Sequence, residues 1–163
     1  MRRTLGQSLA LAAFWAAAVT GCGSDAGTAS DPASPSTRSS SSSAGGLDFD
    51  EVALVSQTAA GGRVSPEPVP LDGAAAVSAF TDRFRSPGLG RRVAKAVRRA
   101  DVPPGRALLG AVVAVGCDVP PGVRVEDSGA GPEITALPVE SPKQECFAPV
   151  TTVAVVSVPA DAP

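Results

Sequence analysis

The side chains able to do chemistry in this 163-residue chain are few, and two kinds are missing altogether. There is no His and no Tyr. The lack of His removes Ser-His-Asp and Cys-His catalysis, imidazole-ligated metals and imidazole-based pH switching. What remains is carboxylates, hydroxyls, Lys95, Lys143 and three cysteines. Glu126-Asp127 is a carboxylate pair in sequence only, because neighbours on a strand point to opposite faces. Asp48, Asp50 and Glu51 have a spacing that could open a Ca²⁺ loop, yet no loop glycine or distal Glu follows at EF-hand distance. Gly129-Ala130-Gly131-Pro132 lacks the strand, the helix and the Lys of a phosphate cradle. No catalytic residue, metal or cofactor is expected, and the chain reads as a non-enzyme.

One concentration of charge stands above this background. Arg83, Arg85, Arg91, Arg92, Lys95, Arg98 and Arg99 follow one another with no acid between Arg83 and Ala100. The chain as a whole has 14 basic and 16 acidic residues, which argues against a nucleic-acid-binding domain. On a helix running from Leu89 to Ala100, Arg91, Lys95 and Arg98 share one face and Arg92 and Arg99 flank it. Leu89, Val93, Ala96, Val97 and Ala100 form the opposite, apolar stripe. Three readings of such a face are open: a solvated surface, a docking site for an acidic protein, or a contact with an anionic membrane surface.

The N-terminus carries an address. Arg2 and Arg3 precede the apolar run Leu5 to Val19, which is too short to span a bilayer and has the length of a signal-peptide core. The run ends in Val19-Thr20-Gly21-Cys22, which resembles the lipobox of bacterial lipoproteins: a branched apolar residue, two small residues, then cysteine. That resemblance implies attachment of lipid to the Cys22 sulfur, cleavage after Gly21, and anchoring at the outer, extracytoplasmic face of the cell membrane. Arg2-Arg3-Thr4-Leu5 is also similar to part of a twin-arginine export signal, without its Phe, Ser and Lys. The use of 12 Arg against 2 Lys, with abundant Ala, Val, Gly and Pro, resembles that of GC-rich actinobacterial proteins.

Residues 22–46 are the lipidated Cys followed by Gly, Ser, Ala, Thr, Pro and Asp with no large apolar side chain, including five serines from Ser39 to Ser43. Such a segment cannot offset its ordering entropy, so a disordered linker is expected. Its mean reach is roughly 27 Å. With Cys22 committed to lipid, Cys117 and Cys146 remain, and in an oxidising compartment they are expected to pair.

The elements that must position these groups are read from periodicity. Strands are expected at 51–58, 108–115, 123–126, 133–139 and 150–158, with the second apolar on both faces and the last rich in β-branched residues. Ser65 to Pro70 cannot be a central strand, because each Pro removes a ladder donor. Helices are expected from Gly73 to about Phe84, capped by Asp72, and from Leu89 to about Ala100, separated by the breaker Ser86-Pro87-Gly88. This order predicts an α+β domain over 47–163, with a small, mostly antiparallel sheet, two helices and one disulfide. The passage from Cys146-Phe147-Ala148-Pro149 into the strand 150–158 resembles the C-terminal domain of bacterial protease-stabilising lipoproteins over about a third of the chain. The family's Thr-Gly-Gly-Tyr turn is missing, and no site residue is carried over. The reading is a non-catalytic protein- or envelope-binding lipoprotein. A small-ligand carrier or sensor is the alternative, with Phe80, Phe84 and strand 108–115 lining its pocket.

Overall fold

The computed structural model describes residues 46–162. The expectations for the leader 1–21, for lipid on Cys22 and for the linker through residue 45 lie outside the described residues.

Two strands carry the fold, one from the run that is apolar on both faces and one from the β-branched run near the C-terminus. These are β3 (Arg106–Gly116) and β6 (Val150–Pro159), paired antiparallel with Leu109 opposite Val156 and Val112 opposite Val153. Every residue from Thr151 to Val158 is buried, as a strand covered on both sides requires. Outside this pair lie β1 (Asp50–Thr58), antiparallel to β6, and β2 (Val69–Pro70), antiparallel to β3. The sheet order is β1-β6-β3-β2. The rule against proline in a central strand holds: Pro70 is admitted only in a two-residue strand at the sheet edge.

Helices α1 (Ala74–Thr81) and α2 (Pro87–Arg99) cover one face of this sheet. Phe80, Phe84, Leu89 and Val93 pack there against Val112, Val153 and Val155. Several boundaries differ from the sequence reading: α1 ends at Thr81 rather than near Phe84, α2 begins two residues before Leu89, and the strand expected at 133–139 ends at Ala136. Gly73, not Asp72, stands at the N-cap of α1 with φ 89°, a conformation that suits glycine. Ser86-Pro87-Gly88 does not separate the helices but starts the second one, with Ser86 at the N-cap and Pro87 in the first turn, where its missing N–H costs nothing. Phe84 lies beyond α1 yet remains buried, edge-on to Phe80 at 5.6 Å between ring centres.

The hairpin β4 (Val123–Asp127) and β5 (Pro132–Ala136) forms a separate two-stranded sheet. Its Val123, Val125 and Ile134 pack on the opposite face of the main sheet against Leu109, Ala111, Ala154 and Val156. The result is three layers: helices, four-stranded sheet, hairpin. The described chain begins beside β4, where the Leu47 N–H donates to the Val125 carbonyl at 3.0 Å.

Cys117 and Cys146 form a disulfide with a Cα–Cα distance of 5.3 Å. It sits just past the end of the β3–β6 ladder and closes the excursion that contains the hairpin. Closing this loop is worth about 3–4 kcal/mol by the chain-entropy model.

Candidate functional site

Helix α2 turns Leu89 and Val93, both fully buried, toward the sheet, so the basic residues are left on its outer surface. Arg91, Arg92, Lys95, Arg98 and Arg99 are all exposed. The structure divides what the sequence groups as one face. Arg98 stands with Ala94 and Val97 on the side toward α1, across a cavity shared with Val77 and Thr81. Arg92, Lys95 and Arg99 stand on the other side, above Leu54, Val55 and Ser56 of β1. Arg91 is exposed in the first half of the helix. Among the described residues the ion pairs belong to Arg106, Arg124 and Lys143, and none of these five takes part in one.

The position of α2 on β1 is held by Gln57. Its Nε2 donates to the Ser86 hydroxyl, and its Oε1 accepts from the Arg92 guanidinium at 2.7 Å. Gly88 makes this fit possible, since a Cβ there would lie 2.8 Å from Gln57 Oε1. At the other end of α2, Arg99 borders a small cavity with Asp50, Glu51 and Asp101. Helix α2 thus runs antiparallel along β1. Burial pushes the Glu51 carboxyl above its ordinary range, and the hydrogen bond from the Val123 backbone partly opposes that rise. Asp118 behaves in the opposite way: the Lys143 backbone N–H donates to it at 2.7 Å, and this and the Lys143 ammonium hold it below the usual carboxylate range.

The other two members of the basic run serve the core. Arg83 lies over the Phe80 ring at 5.7 Å, a cation–π contact, and the stem of Arg85 covers the backbone at Gly61.

The carboxylates weighed for metal or acid–base work have structural partners. Asp48 and Asp50 both reach Arg106, at 2.7 and 3.4 Å, and Arg106 also donates to the Ser157 hydroxyl and carbonyl. This clamp ties the start of β3 to the end of β6 and the approach to β1. Glu126 pairs with Arg124, and Asp127 accepts from the Gly129 N–H in the hairpin turn. Among the described residues no cluster of three or more His, Cys, Asp or Glu is placed to hold a metal.

The expected pocket lining is split by the fold. Phe80 borders a cavity of about 470 Å³ with Gly110, Ala111 and Val112 of β3, Phe84 is buried in the helix-side core, and Leu108 and Leu109 reach the largest cleft. That cleft, about 760 Å³, lies between the Pro68–Asp72 segment, the start of β3, the hairpin turn and the end of β6. No local pattern marks it, because its walls come from four distant segments. No family model, curated protein or solved structure matches the chain.

Proposed function

We propose that this chain is a lipid-anchored, extracytoplasmic lipoprotein whose folded domain is a non-catalytic module that binds a protein or another envelope component. The observation that carries the reading is the exposed surface of α2, where five cations stand outside every ion pair of the described residues on a chain of net charge −2. A lipid on Cys22 would confine that surface to the vicinity of the membrane and raise its effective concentration toward neighbours there. Its partner is then acidic, either a protein or the anionic leaflet itself.

The test is cross-linking with mass spectrometry on the full chain in its own membranes, beside Cys22→Ala and the triple variant Arg91→Glu, Lys95→Glu, Arg98→Glu. Cys22→Ala should leave the membrane fraction, and one dominant cross-linked partner should disappear in the Glu variant. Retention of the Ala variant in the membrane removes the lipid anchor. Cross-links that reach only abundant neighbours and ignore the Glu changes reduce α2 to a solvated face.

A second reading, a small-ligand carrier or sensor, draws on the large cleft. Its volume is in the range of ligand sites, and Leu71, Leu108, Leu109 and Val158 give it apolar walls. Retention of a small molecule in native mass spectrometry would favour it, and loss of that molecule on Leu108→Asp would place it in this cleft.

A further inference from the structure

The outer edge of β1 lies beside the basic flank of α2, and the two form one groove. β6 is the only strand neighbour of β1 among the described residues, so the outward N–H and C=O groups of β1 have no ladder partner there. A register shift between Glu51 and Ala53 marks a bulge, after which Ala53 to Thr58 pair with β6 in unbroken register. That regular half is the part that could template another strand. Proteins normally blunt such an edge with proline, lysine or a covering segment. The opposite edge of this sheet is treated in that way, by Pro66, Pro68 and Pro70, whereas among the described residues β1 has only the bulge before Ala53.

We propose that the edge Ala53–Thr58 receives an extended acidic segment of a partner protein as a fifth strand, read from above by Arg92, Lys95 and Arg99. The proposal rests on the docking reading above and specifies its partner. Arg92, Lys95, Ala96 and Arg99 form a cavity of about 370 Å³ with Leu54, Val55 and Ser56. The three cations follow the direction of the edge, because α2 is tied at Gln57 by Arg92 and reaches Asp50 and Glu51 at Arg99. From Arg92 to Arg99 the helix rises about 10.5 Å, and two side-chain repeats along a strand span about 13 Å, a mismatch that long basic side chains absorb.

An added strand would place alternate side chains toward α2 and toward the hairpin face. Acidic residues at every second position meet the cations. The residues between them lie next to Leu54 and Ser56, where apolar or small side chains fit. A second copy of this chain is a poorer occupant, since pairing β1 with β1 would bring two basic flanks together.

The experiment uses the full chain and a labelled eight-residue peptide of alternating Glu and Val at low ionic strength. Affinity is read by fluorescence anisotropy, and the site by hydrogen exchange of the 53–58 amides. Binding with new protection at 53–58 is expected. The variant Arg92→Gln, Lys95→Gln, Arg99→Gln should bind about tenfold or more weakly while remaining folded, its melting temperature falling by no more than about 5 °C for the lost Gln57 bond. A block peptide of four Glu then four Val, with the same charge, should bind less well.

Protection elsewhere, equal binding by the block peptide or indifference to the Gln changes overturns strand addition. So does concentration-dependent dimerisation that protects β1, or protection lost on deleting residues 23–45. Binding to phosphatidylglycerol vesicles without protection of β1 would assign the cations to lipid. Cross-links that vanish in the Glu variant while β1 gains no protection would leave the docking reading standing and remove only the fifth strand. Cross-links indifferent to α2 would remove the docking reading itself.

Discussion

The two edges of the four-stranded sheet are built to opposite specifications. At β2 the chain pairs for two residues and is then held as cover: the Ser65 N–H donates to the Val112 carbonyl, Leu71 to Leu108, and Ile134 of the hairpin to the Pro66 carbonyl. Leu71 is 2 % exposed and seats on Gly110, where a Cβ would meet its Cδ1 at 2.8 Å. At β1 the strand is long, its residues are only partly buried, and the nearest cover is a helix whose outer flank is cationic. One edge is closed by packing and proline. Among the described residues, the other is left open next to charge. Stability and binding are therefore expected to separate along this sheet, and the separation can be tested.

The largest effect belongs to what both edges share. Replacing Cys117 and Cys146 together by Ser should cost about 3–4 kcal/mol in urea unfolding, since the bridge closes the end of the central ladder. Next, Leu71→Ala should cost about 3 kcal/mol, the usual range for emptying a buried leucine site. Leu54→Ala on β1, a half-buried position, should cost less than half of that in the same measurement. Equal costs would break the asymmetry. Gln substitutions at Lys95 and Arg99 should each move stability by no more than about 0.5 kcal/mol, because these side chains are exposed, and Arg92→Gln by about 1 kcal/mol, because it gives up the bond to Gln57.

The smallest effect concerns Glu51, at the acidic end of the open edge. Its carboxyl is raised above its unfolded value by burial, so the neutral form favours folding. That contribution is present below about pH 4.3 and is lost as pH rises through the folded-state value. Glu51→Gln stays neutral and should melt slightly higher than the parent chain at pH 7, with no difference below about pH 4. A lower melting point at pH 7 would show that the ionised carboxylate, through its bond to Val123, is worth more than its burial costs.

Local pattern was enough for the elements and for one long-range bond. The run 108–115 is legible as a central strand because covering both faces demands apolar residues throughout, and 150–158 is legible as a strand from its β-branched residues, its central place appearing only in the fold. Even so, Val115, past the register shift between Val112 and Ala114, is 39 % exposed. The disulfide was legible because only Cys117 and Cys146 remain once Cys22 is set aside, whereas the fold alone shows that they flank strands ending at the same place. The α+β class followed from the order of elements.

Who pairs with whom was not written locally. Periodicity shows which faces of a strand are buried and is silent on its neighbours, so β1 as an open edge and β4–β5 as a separate sheet appear only in the fold. The same holds for Arg106, whose clamp joins residues from three separate stretches, and for the large cleft. On α2 the sequence places five cations opposite an apolar stripe. Only the packing of α1 on one side and β1 on the other separates Arg98 from Arg92, Lys95 and Arg99. A helix's own periodicity defines its buried stripe, whereas the neighbour on each flank is set by contacts between residues far apart in the chain.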